Sequence, residues 1–408
     1  MNPTAISGEG GVYYLDWAPL SLQMRFDRIW EDKRGVYGEC SIWSVAVGGR
    51  VALVRNRRVT LTTSRIGLAR DLADFELPQS NWGDVLEAAC SAVIDRFRAG
   101  EPPKWLGSGT DVEPPGFLLW PLVDRDGPTV LFGEGGSLKS YTALFCGLLL
   151  SLGWSANGLN ADPIPRRVLY LDYETSYDTL RYRIAELRAG LKTTEGDLLY
   201  LRGTRPLAQS FEETKRHIIE HEIGFVIIDS LGVASGEEIE GSKAILPFFS
   251  AVRALGVPSL IVHHSNREGK FYGNVYIINS SRSMWEIKSK NVPGESVVSV
   301  ALFHRKANNG PQEKAIGFDA SFAENALSFS RTDVGSVPEF RSGLTLPNQI
   351  KSLLKGGALT VADIAEELDQ KEATVRSRLN DGRGKSFSQI DQSDGSRAWG
   401  LLSREEDS

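Results

Sequence analysis

The chain has 408 residues, more than one ordinary domain holds, and 41% of them are hydrophobic and 24% charged, as in a globular protein with a substantial core. No run approaches the roughly 20 apolar residues of a membrane-spanning helix, and the N-terminus MNPTAISGEGG lacks the basic-then-apolar pattern of a signal peptide. Cys40, Cys90 and Cys146 form no CxxC pair, so neither a disulfide framework nor a structural zinc site is indicated and a reducing cytoplasm fits best. With a net charge of −6, any contact with nucleic acid has to come from a local basic patch.

Residues 1–80 read as short strands. VYYLDWA, CSIWSVAVGG, RVALVRN and RRVTLTT are rich in Val, Tyr, Trp and Thr. Between 40 and 70 there are six arginines and no acidic residue. An amphipathic helix is expected over 81–98, with Val85, Leu86, Ala89, Val93 and Phe97 at helical spacing. This β-rich domain, 1–100, ends at the Pro- and Gly-rich linker 101–115.

From 116 to 330 short apolar strands alternate with longer helices. The strands are PTVLF, RRVLYLDYE, GFVIIDS, PSLIVHH and VVSVALFHR, with helices after Lys139 and around 178–189, 211–222 and 242–255. Continuous apolar strands between helices imply an α/β fold with a mostly parallel sheet covered on both faces. A second Gly/Ser/Pro stretch, 331–345, precedes three short helices and a β-hairpin over 346–402, which read as a winged helix-turn-helix. The tail is 403–408.

The strand PTVLF runs into Gly133-Glu134-Gly135-Gly136-Ser137-Leu138-Lys139-Ser140, and an apolar helix follows, beginning with Tyr141. Strand, glycines, Lys-Ser and helix together make a phosphate-binding loop. Glycines let backbone N–H groups approach phosphates, and the helix N-terminus adds partial positive charge. Residues Gly133 to Tyr141 are the expected nucleotide contacts. Lys139 neutralises the β- and γ-phosphates of ATP, and the Ser140 hydroxyl ligates Mg²⁺. Leu138 departs from the usual pattern, which has glycine before the lysine; a glycine-only backbone geometry there would be strained by Leu.

Asp229, ending GFVIIDS, is the expected second metal-site residue. RRVLYLDYE ends with Asp172 and Glu174 on a strand that opens onto the same crevice, and Glu174 is the candidate general base. PSLIVHH ends with His263 and His264, a pair with no third metal ligand nearby. The following loop carries Arg267, Lys270 and Tyr272.

In order, GEGGSLKS, LYLDYE, VIIDS, IVHHSN and YGNVYIINSSRSMWEI resemble the plasmid and phage RepA-type replicative helicases, a RecA-like group related to the DnaB helicases. VALFHRKANNGPQEKAIGFDASF is similar to the β-hairpin region that closes the ATPase core in that group. The resemblance spans roughly 116–330. It implies a RecA-like core, a hexameric ring with ATP sites between subunits, and single-stranded DNA in a central channel. It also implies Glu174 as base, His264 as γ-phosphate sensor and Arg282 as a finger reaching a neighbour's site. The loops after Asp229 and His264, with Arg267 and Lys270, would touch DNA.

Two flanking regions add alternatives. Lys371, Arg376 and Arg378 of the third C-terminal helix are placed to follow a major groove or phosphate backbone, although acidic Glu366, Glu367 and Asp369 also suit a protein contact. The arginine-rich N-terminal strands, with Trp43, fit either a single-strand platform or the solvent face of a half-exposed sheet. The expected function is an ATP-driven, ring-forming DNA helicase or translocase. The second reading is an ATP-controlled DNA-binding switch or helicase loader with slow turnover, and a third is a signalling ATPase without a DNA role.

Overall fold

The computed structural model describes the whole chain apart from residues 1, 10, 47–48, 63–65, 78–79, 101–102, 104, 107–115, 237–241, 266–272, 274, 392–396 and 403–408. It divides into two compact units, Met1–Val112 and Glu113–Ser408.

In the first unit five strands form an antiparallel meander in chain order: β1 (Ala5–Glu9), β2 (Val12–Trp17), β3 (Leu22–Asp32), β4 (Gly35–Ala46) and β5 (Gly49–Thr60). Alternate residues of β2 to β4, among them Leu15, Trp17, Leu22, Met24, Phe26, Cys40 and Ile42, are fully buried. They pack with Val85, Leu86, Ala89 and Val93 of α2 (Trp82–Ala99), which follows the short α1 (Ile66–Asp71). Asn81 caps α2 by accepting a hydrogen bond from Asp84 N–H at 2.9 Å. The segments RVALVRN and RRVTLTT are not two strands but the single strand β5, whose register shifts against β4 around Ile42. No turn-forming pair separates them, so pairing with β4 continues through.

The second unit is built on a nine-stranded sheet. After the small strands β6 (Phe117–Trp120) and β7 (Val123–Asp124) come β8 (Pro128–Gly133), α3 (Lys139–Leu152) and the two-residue β9 (Asn160–Ala161). Then follow β10 (Arg167–Asp172), α4 (Tyr177–Leu191), β11 (Leu198–Arg202), α5 (Phe211–Glu220), β12 (Ile223–Asp229), α6 (Leu231–Ser235), α7 (Ser242–Leu255), β13 (Ser259–His264) and α8 (Val275–Ser280). β14 (Ser283–Asn291), β15 (Val297–Ala307), β16 (Ile316–Ala323) and β17 (Ala326–Thr332) complete the sheet.

Its order is β11-β10-β12-β13-β8-β14-β15-β16-β17. Pairings are parallel from β11 to β14 and antiparallel beyond. The sheet is thus mostly parallel, and helices lie on both faces. α3 buries Leu144, Phe145, Leu148 and Leu149 among Val168, Phe225 and Ile227 on one face, while α5 and α7 cover Ile228 and Ile261 on the other. Each such aliphatic or aromatic side chain contributes about 1.5–3 kcal/mol.

Within 331–345, α9 (Pro338–Arg341) places Phe340 against Ala301 and Phe303. The C-terminal segment consists of α10 (Leu346–Leu354), α11 (Val361–Glu367), α12 (Glu372–Asp381) and the antiparallel pair β18 (Phe387–Asp391) and β19 (Arg397–Leu401). Ile350, Ile364, Val375, Leu379, Phe387 and Trp399 give it a core of its own. Bonds that tie it to 331–345 include Lys355 paired with Asp333 at 2.6 Å, Ser352 Oγ donating to Gly335 O at 2.7 Å, Gln349 Nε2 donating to Leu344 O at 2.9 Å, and Arg341 3.6 Å from Glu367. No helix among the described residues is long and apolar enough to cross a membrane.

Candidate phosphate-binding site

The C-terminal ends of β8, β13, β12 and β10 finish side by side. Gly133 lies opposite His264, and Asp229 opposite Asp172. Parallel strands thus deliver four chemically active ends to one edge of the sheet, where open α/β sheets hold ligands.

At Gly133 a side chain is excluded: a Cβ would come within 2.3 Å of Ile287 O. Gly136 has φ +78°, the left-handed region that glycine enters without penalty. Leu138 has φ 62° and ψ 23°, also left-handed, directly before α3. The conformation usually taken by glycine is therefore retained by a leucine, at roughly 1–2 kcal/mol.

Lys139 is nearly buried. Its Nζ donates to Gly133 O at 2.9 Å and Glu134 O at 2.5 Å, with Ser137 Oγ at 3.4 Å. The ammonium is thus folded over the loop that would surround a phosphate. Burial pushes its pKa down, while the charges of Asp229, Glu174 and Glu134 act upward.

Asp229 is 2% exposed and accepts a hydrogen bond from Tyr170 Oη at 2.5 Å. The Ser140 hydroxyl lies close enough to influence it. Burial raises its pKa, as do Glu174 and Asp172, while the Ser140 and Tyr170 bonds lower it. A hydroxyl and a carboxylate near each other fit Mg²⁺, which keeps several waters and takes its remaining ligands from phosphates. No cluster of three or more His, Cys, Asp or Glu suited to a metal occurs among the described residues.

Asp172 and Glu174 divide their tasks. Asp172 is fully buried; its Oδ1 accepts from the N–H groups of Glu174 at 3.1 Å and Thr175 at 2.9 Å. Its Oδ2 takes Arg202 at 2.8 Å and Tyr200 at 3.2 Å. Asp172 thereby shapes the turn that presents Glu174. Glu174 accepts a short hydrogen bond from Ser230 Oγ, and His264 Nε2 stands 3.3 Å from its Oε1. The His264 bond is the largest influence holding the Glu174 carboxyl below its usual range; burial opposes it, and Ser230 and Lys139 reinforce it. His263 is buried, whereas His264 is half exposed at the strand tip.

Among the other residues expected at the site, Tyr141 donates its hydroxyl to Glu186 at 2.8 Å, joining α3 to α4, and burial with that bond raises its pKa to about 12. Arg282 is not brought to the loop. Its N–H donates to Pro128 O at 2.9 Å, at the start of β8, and Gly133 ends the same strand. Five residue steps of about 3.3 Å separate them by roughly 17 Å. Arg282 borders a cavity of about 560 Å³ at that far edge, together with Arg125, Arg253, Asn279 and Asn308.

Lys371, Arg376 and Arg378 lie on or next to α12 and are exposed, with Arg376 3.4 Å from Glu372 and Arg378 3.3 Å from Asp381. Arg267, Lys270 and Tyr272 fall outside the described residues. Sequence reading missed Tyr170 and Ser230. Ser230 directly follows Asp229 in the motif, and Tyr170 is the one polar tip inside an apolar strand.

Residues 95–270 match the family model of the AAA domain. Among solved structures, the chain is similar to the KaiC-like protein PH0186 from the hyperthermophilic archaeon Pyrococcus horikoshii OT3. Identity is 16%, 53% of this chain and 95% of that chain are covered, and the TM-score is 0.38. No curated protein matches the chain. Residues 95–270 thus resemble an AAA-type ATPase domain, with a Lys-Ser loop set between strand and helix as in a phosphate-binding loop.

Proposed function

We propose that this chain is an ATP-hydrolysing motor that moves on single-stranded DNA in plasmid or phage replication, assembled as a ring of the RepA-type, RecA-like kind and acting in the cytoplasm. The observation that carries the ATPase part is the meeting of Lys139, Ser140, Asp229 and Glu174 at one edge of the sheet. Mg²⁺, held by Ser140 and Asp229, would offset charge on the phosphates. Glu174, its carboxyl held below its usual range chiefly by His264, orients the attacking water. His264, touching that carboxylate at the tip of β13, relays the state of the γ-phosphate to the loop carrying Arg267 and Lys270. Arg282, at the opposite end of β8, reaches a neighbour's site as an arginine finger. The three helices and hairpin of 346–402 act as a winged helix, with Lys371, Arg376 and Arg378 toward duplex DNA.

The left-handed Leu138 favours a second reading, an ATP-controlled switch or helicase loader with slow turnover, because the loop spends strain on a residue that glycine would replace freely.

Nucleotide binding and turnover separate the assigned roles. Lys139→Ala is expected to lose ATP affinity, whereas Glu174→Gln keeps it and loses turnover by about 10²–10⁴-fold. ATP binding by calorimetry beside steady-state hydrolysis checks this; normal hydrolysis in Lys139→Ala would sink the site.

A further inference from the structure

The outer face of the N-terminal sheet carries rings and guanidinium groups that the ATPase site does not use. Along β3 and β4 the positions alternating with buried Leu22, Met24, Phe26, Cys40 and Ile42 point away from α2. Trp43 stands opposite Gln23 and Tyr37 opposite Trp30. Between Asp27 and Trp30, β3 advances three residues while β4 advances two, so Trp30 keeps to the face of Tyr37.

The Trp30 and Tyr37 rings stack with centroids 5.2 Å apart and planes 15° from parallel. Arg58 lies over Trp30 at 4.8 Å, and Arg25 over Trp43 at 5.9 Å. Along β4, Tyr37 and Trp43 are six residues apart, about 20 Å of strand.

The charge on this face is unevenly answered. Arg25 pairs with Asp27 at 3.0 Å and Arg28 with Glu39 at 2.7 Å. Arg55 and Arg58 of the edge strand β5 are exposed and have no carboxylate partner among the described residues. Glu39, the residue opposite Arg58, is bonded to Arg28 instead. Flat rings flanked by unanswered guanidinium groups suit a ligand that alternates π-faces with negative charge. Nucleic-acid bases stack on any ring, and their phosphates supply the missing anion.

We propose that this sheet face binds single-stranded nucleic acid, with bases stacking on Trp43 and on the face of Tyr37 turned away from Trp30, and the backbone following Arg55 and Arg58. The site is separate from the ATPase reading and needs no nucleotide.

The test uses the full chain without ATP and measures anisotropy of a short fluorescent oligothymidylate and the matching oligouridylate. Trp43→Ala and Arg58→Glu are each expected to weaken binding by roughly tenfold with unchanged thermal unfolding. Arg58→Glu should also flatten the dependence of log affinity on log salt by about 0.7. Tighter binding of one oligonucleotide identifies DNA or RNA as the strand, and these losses with either support the proposal. Photocross-linking of a bromouracil-substituted oligonucleotide to the wild-type chain, independent of any variant, should label residues within 22–60. Wild-type affinity in both folded variants, or cross-links confined to other regions, would overturn it.

Discussion

Glu174 is held below its usual range chiefly by a neighbour. The bond from His264 is the main cause of its lowered pKa, and burial alone would push the other way. A carboxylate with a depressed folded value adds stability above its unfolded value of about 4.3 and loses it as pH falls through the folded value. Removing the histidine takes away the largest lowering influence and leaves burial opposed only by Ser230 and Lys139, so the carboxyl's pKa rises. His264→Ala should therefore move the acid limb of kcat/KM to higher pH, a pH–rate profile being the check; an unmoved limb would show that Glu174 is not the titrating base. Asp229 is the opposite case, because burial raises its pKa, so its charge opposes folding as pH rises through that value.

The loop itself was legible from residue types, since glycines, lysine and serine between a strand and a helix have few other uses. The partners that tune it were not, because Tyr170 and Ser230 meet Asp229 and Glu174 only through sheet register and turn geometry.

Among elements, the buried parallel strands β8, β10, β12 and β13 declare themselves as continuous apolar runs. β3 does not. LQMRFDRIWED alternates core residues with Gln, Arg and Asp, and its bulge breaks the strict period of two. For α12 the structure sharpens an expectation. Arg376 and Arg378 pair with Glu372 and Asp381 on an exposed surface, and such pairs are worth only about 0–1 kcal/mol. They would yield to a phosphate. If α12 lies on duplex DNA, replacing both arginines with Ala should flatten the salt dependence of duplex binding by about two log units per log unit of salt. An unchanged slope in a filter-binding or anisotropy titration would make the segment a protein contact.

For the molecule as a whole, a net charge of −6 repels nucleic acid at long range, so binding has to be confined to patches and to respond steeply to salt. Arg282 lies at the far end of β8 from Lys139, so under its proposed role one copy of the chain cannot complete its own site. The most direct measurement is steady-state ATP hydrolysis with and without single-stranded DNA, with Lys139→Ala as control. The account predicts turnover that single strands stimulate severalfold and that the Lys139 variant lacks. Slow turnover indifferent to DNA, or equal turnover in the variant, would contradict it.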